Sequence, residues 1–121
     1  MLIYRFEDEA GDGIYGGVFY EAGLTNDAKR HPAPWKDPKL NWNTNAGGYD
    51  RFFFGFSSLW SLRRWFRKNE RQLLEWAGAV LRVYEVSEEF VNVGRQQVVF
   101  IKEHATVVGR LDAVNLTKTV L

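Results

Sequence analysis

The chain has 121 residues, 45% of them hydrophobic, 26% charged and 16% aromatic, with a formal net charge of +1. That is one domain's length, too apolar for a disordered segment and too nearly neutral to bind polyanions by total charge alone. It carries no cysteine, which excludes disulfides, thiolate metal sites and cysteine nucleophiles.

In chain order, Leu2 to Glu7 is a β-prone run that predicts a first strand. No basic segment leads into an apolar one there, so no signal peptide is expected. No apolar run approaches the ~20 residues that span a bilayer, and a cytoplasmic protein with no membrane partner is the expectation. Glu7, Asp8, Glu9 and Asp12, with Gly11 and Gly13, read as a solvated turn. Their spacing lacks the terminal bidentate Glu of a calcium loop. Ile14 to Tyr20 predicts a second strand.

Residues 22–48 hold all three prolines and show no period of two or 3.6. They predict a long loop within one α+β domain, and loops of that length are mostly functional or disordered. Trp35 and Trp42 favour the functional reading. Trp35 sits between Pro34 and Pro38, where it is either a partner anchor or a lid over the core.

Tyr49 to Phe56 predicts a strand with Phe52, Phe53, Phe54 and Phe56, buried on both faces. Ser57 or Ser58 then offers an N-cap. Leu59, Leu62, Phe66, Leu73 and Ala77 form one helical stripe, and Trp60, Arg64, Arg67 and Arg71 another. Asn69 followed by Gln72 is a second capping signal that breaks this helical segment, and Gly78 ends it. Ala79 to Val86, Phe90 to Val93, Gln96 to Lys102 and Thr106 to Leu111 supply further strands. The expected fold is α+β, with an antiparallel or mixed sheet of about five to seven strands and one main, broken helical segment.

Candidate sites are sparse. The outward stripe of Trp60, Arg64, Arg67 and Arg71 has the residue types that phosphates and bases need, although a solvated helix face has them too. His31 and His104 stand far apart with no evident third ligand, so no metal site is expected. There is no Gly-x-Ser-x-Gly elbow, no P-loop and no dinucleotide-binding glycine fingerprint.

The order of elements resembles ADP-ribosyltransferase-like proteins. The residues that carry the resemblance are Arg5 in the first strand, the Gly13-Ile14-Tyr15 turn, and the Phe53-Phe54-Gly55-Phe56-Ser57-Ser58 junction. It implies that Arg5 holds a pyrophosphate, Tyr15 or Phe54 stacks on nicotinamide, Ser57 and Ser58 border the cleft, and Gln97 or Glu103 sits at the reacting sugar of NAD. The chain departs from the family at the catalytic Glu, where Gln97 stands. A neutral amide cannot supply the charge that stabilises a cationic transition state. The runs Phe54-Gly55-Phe56-Ser57-Ser58, Trp65-Phe66 and Val83-Tyr84-Glu85-Val86 also resemble small phage accessory proteins. Three functional expectations follow. The first is a phage-type accessory protein that binds and modulates a host or defence component in the host cytoplasm. The second is an NAD-dependent transferase or glycohydrolase. The third is a nucleic-acid-binding module built on the basic helix.

Overall fold

The computed structural model describes residues 1–15, 19, 23, 37 and 51–118. Most of the 22–48 loop, with Trp35 and Trp42, lies outside the described residues, as does Tyr49.

β1 (Leu2–Glu7), β3 (Val80–Val86) and β6 (Ala105–Leu111) form a three-stranded antiparallel sheet in the order β1-β3-β6. β2 (Phe52–Gly55), β4 (Val91–Val93) and β5 (Val98–Ile101) form a second, ordered β2-β5-β4 and also antiparallel. The single sheet expected from sequence is therefore two small ones. They are joined where Tyr4 and Phe56 exchange backbone hydrogen bonds of 2.8 Å. Gly55 makes that approach practicable, because a Cβ there would stand 2.7 Å from Ile3 Cγ2 and 2.8 Å from the Tyr4 carbonyl oxygen.

β1 is buried on both faces, and its alternation divides the core. Phe6, with Tyr4 beside it, packs with Leu62, Trp65, Phe66 and Leu74 of the helical region, and the Phe6 and Phe66 rings meet edge to face at 5.2 Å. Ile3, on the opposite face, packs with Tyr84, Val86, Val98 and Phe100 between the two sheets. The layers are thus helices, first sheet and second sheet, an α+β arrangement. The expected second strand does not form at its described positions: Ile14 and Tyr15 lie in a turn, and Phe19 is helical and buried.

Ser58, extended at φ −145, caps α1 (Leu59–Trp65) by accepting from the Ser61 amide at 3.1 Å. Phe66 and Arg67 are extended, and α2 (Lys68–Trp76) starts after them. The Glu70 side chain accepts from the Arg67 amide at 3.1 Å, so the break is capped at Arg67 and Glu70 rather than at Asn69. The two extended residues reset the helical face. Arg71 and Leu74 point inward on α2, whereas Leu73, expected in the core, is 48% exposed. At the end of α2, Gly78 adopts φ +101, its amide bonds to the Glu75 carbonyl, and the Ala79 amide bonds to that of Leu74. This is the paired closure that a left-handed glycine permits.

Candidate functional site

The chemistry of this chain concentrates at the C-terminal half of β1. Arg5 and Glu7 are two residues apart on one strand, so they share the inter-sheet face. Register places Arg82 opposite Arg5 and Tyr84 opposite Ile3, on that same face. Glu7 is completely buried and gathers three donors: Arg5 Nε at 2.8 Å, the Tyr84 hydroxyl at 2.8 and 2.9 Å, and Arg82 Nη1. A buried carboxylate is tolerable only when paired and hydrogen-bonded in this way. Burial lowers the Arg5 pKa against the opposing pull of Glu7, while hydrogen bonding to Glu7 raises that of Arg82. Desolvation, reinforced by Glu7, pushes the Tyr84 hydroxyl up to about 12. It therefore stays a neutral donor at physiological pH.

The network fixes the Arg5 guanidinium. Nη1 donates to the Phe54 carbonyl at 3.0 Å, and the guanidinium carbon lies 3.9 Å over the Phe53 ring. Arg5 is only 6% exposed, yet it lines a cleft of about 300 Å³ between the 11–15 turn and β2. A Cβ added to Gly13 would come within 3.2 Å of Nη2. A side chain at position 13 would therefore crowd the guanidinium.

Of the residues singled out from sequence, Arg5, Tyr15, Phe54 and Gln97 line this cleft. Tyr15 accepts a hydrogen bond from Trp65 Nε1 at 2.6 Å, and desolvation raises its pKa. Gln97 is buried. Ser57, Ser58 and Glu103 are not among the described lining residues. Ser58 is committed to capping α1, and Glu103 is about half exposed and pairs with Arg51 at 3.7 Å. Sequence reasoning missed Glu7 as the organising group and Asp12 as a cleft residue, having placed both in a solvated turn. The available signal was an Arg and a Glu two apart in a strand, facing an Arg and a Tyr two apart in another.

The helical stripe also divides. Trp60 is 65% exposed with the Arg64 guanidinium 4.7 Å from its ring, and Arg67 is exposed. Arg71, expected to face outward, is instead buried. It donates from Nη1 to the Phe66 carbonyl at 2.7 Å and from Nη2 and Nε to that of Val114 at 3.0 and 3.2 Å. Burial lowers its pKa, with Arg63 adding to the effect. It is a structural clamp between the helix break and the turn after β6. Trp35 and Trp42 fall outside the described residues. No metal-binding cluster occurs among the described residues, and none of their helices is long and apolar enough to cross a membrane.

Comparison with known proteins gives a consistent assignment. No solved structure matches the chain significantly. A protein of Enterobacteria phage T4, described as an uncharacterized 19.7 kDa protein in the motB-dexA intergenic region, is 32% identical over 104 residues. That match covers 70% of this chain and 63% of the relative, so the chain spans somewhat under two thirds of the relative's length. The family model described as Bacteriophage T4 Y00F protein matches residues 1–114, and the chain belongs to that family of phage proteins.

Proposed function

We propose that this phage protein acts by binding, and that the cleft over Arg5 receives a ligand carrying both an anionic group and a flat ring, as nucleotides do. The observation behind this reading is the Arg5 guanidinium. It is held by Glu7 and Phe54, is 6% exposed, and lines the cleft beside Gly13, where an added Cβ would stand 3.2 Å from Nη2. A rigid fork fixed in a low-dielectric wall suits a phosphate or carboxylate, and the aromatic residues Phe52, Phe53, Phe54 and Tyr15 around it suit a ring. Capture of such a ligand is how a cleft of this kind would interfere with a host or defence component.

An NAD-using transferase is the second reading. It is favoured by one observation, that Arg5, Tyr15, Phe54 and Gln97 share the cleft. Against it stand the amide of Gln97 where that chemistry needs a carboxylate, and the pairing of Glu103 with Arg51.

Calorimetric titration with a panel of nucleotides and NAD tests the proposal. Binding should weaken at least tenfold in Gly13→Ala, whose added methyl covers Nη2 while Arg5 stays in place. Affinity unchanged in that variant, or no binding by any member of the panel at millimolar ligand, removes the cleft as the recognition site. Release of nicotinamide from NAD by the purified protein transfers the assignment to the enzymatic reading.

A further inference from the structure

A second concave surface lies on the exposed side of α1, apart from the Arg5 cleft. It is a groove of about 390 Å³ whose described lining residues are Trp60, Ser61, Arg64, Trp65, Arg95 and Gln96. None of these is acidic. The Asp37 carboxylate accepts from the Arg95 backbone amide at 2.6 Å. Neither the Arg64 nor the Arg95 guanidinium has an ion-pair partner among the described residues. Arg63 lies on α1 as well, and Arg67 and Lys68 follow at the helix break.

The arrangement of Trp60 is specific. Arg64, one turn further along α1, lies over its ring at 4.7 Å, yet the indole is 65% exposed. An exposed indole with a guanidinium stacked on one face leaves the other face to solvent. The cation holds the ring in one orientation, so less freedom is lost when a further ring stacks upon it. Arg95, from the segment before β5, also lines the groove and brings a second positive charge to it.

We infer that this groove binds single-stranded nucleic acid, with one unstacked base on Trp60 and neighbouring phosphates on Arg64 and Arg95. A single strand fits better than a duplex, because only an unpaired base can present its face to the indole. It fits better than an acidic peptide, because carboxylate side chains would use the guanidinia and leave the indole without a ring to stack on.

Fluorescence anisotropy with a labelled oligothymidylate, titrated with the full chain at several salt concentrations, tests the inference. Affinity should fall with salt with a logarithmic slope of about −0.7 for each phosphate neutralised. Arg64→Gln and Arg95→Gln should each make the slope shallower by about that amount. Trp60→Ala should weaken binding roughly five- to hundredfold, the loss expected for one stacked base. Circular dichroism of each variant controls for folding, and Trp60, 65% exposed, contributes little to the core. The inference is overturned by no binding at low salt, by full affinity in Trp60→Ala, or by equal binding of a blunt duplex or polyglutamate.

Discussion

Tyr4 and Phe56 exchange two backbone hydrogen bonds of 2.8 Å, and this bridge stitches the two sheets together beside the cleft. It holds Arg5 against the β2 aromatics: Arg5 follows Tyr4, and Phe54 and Gly55 precede Phe56. The residue at position 55 must therefore be nearly flush with β1.

Gly55→Ala should destabilise the protein. Its methyl would meet Ile3 Cγ2 at 2.7 Å and the Tyr4 oxygen at 2.8 Å, and the second of these is backbone that cannot rotate away. Overpacking of this kind costs about 1–3 kcal/mol, read as a lower urea midpoint at unchanged slope. An unchanged midpoint would show that the bridge relaxes freely.

Glu7→Gln should be the more damaging substitution. It leaves Arg5 and Arg82 facing a neutral amide in a buried site, and breaking a buried charge pair costs about 3–5 kcal/mol. Glu9→Gln is the comparison. Glu9 pairs with Arg82 and Arg110 but is 68% exposed, so its loss should change stability by about 1 kcal/mol or less. Similar midpoints for the two variants would refute the central role of Glu7.

Stability should fall in alkali through Tyr84. The folded state holds its hydroxyl protonated up to about 12, above the ordinary value of 10.0, so the folded chain retains a proton that the unfolded chain releases. That contribution is fully present below pH 10.0 and is lost as pH rises towards about 12. Tyr84→Phe removes it. The gap in stability between parent and variant should narrow over that interval, as followed by denaturant melts at stepped pH. A gap that stays constant contradicts the assignment.

Arg71→Met should destabilise where Arg67→Ala does not. The first leaves the Phe66 and Val114 carbonyls without their donor, a cost of about 1–3 kcal/mol. Arg67 contributes its backbone amide to the cap, and that survives the change to Ala. Thermal melts of both variants decide the matter, and equal shifts would mean that Arg71 is no clamp.

Local signals in the sequence carried much of the fold. β1 is legible from its β-prone residues, α1 from the Ser58 cap and the end of α2 from Gly78, because each depends on neighbours in the chain. What escaped depends on tertiary contacts. A stripe drawn through an unbroken helix puts Arg71 outside and Leu73 inside, and two extended residues at Phe66 and Arg67 reverse both. Glu7 reads as a turn residue among other acids until register sets it beside Arg82 and Tyr84. Two sheets rather than one follow from β2 pairing along β5, while its backbone link to β1 is the Tyr4–Phe56 bridge just past its end.

The double burial of β1 has a consequence for how the strand finds its place. In most half-buried strands a one-residue slip is prevented because it would turn apolar side chains out to water. Here Tyr4 and Phe6 on one side and Ile3, Arg5 and Glu7 on the other are all covered or nearly so, and greasiness alone distinguishes the alternatives poorly. The charges discriminate instead. A slipped β1 would drive Arg5 and Glu7 among the apolar side chains of Leu62, Phe66 and Leu74, and would take the Glu7 carboxylate from Arg82 and Tyr84. The ionic cluster between the sheets thus indexes the first strand to the third, and it aims the guanidinium of the cleft as part of the same act of alignment.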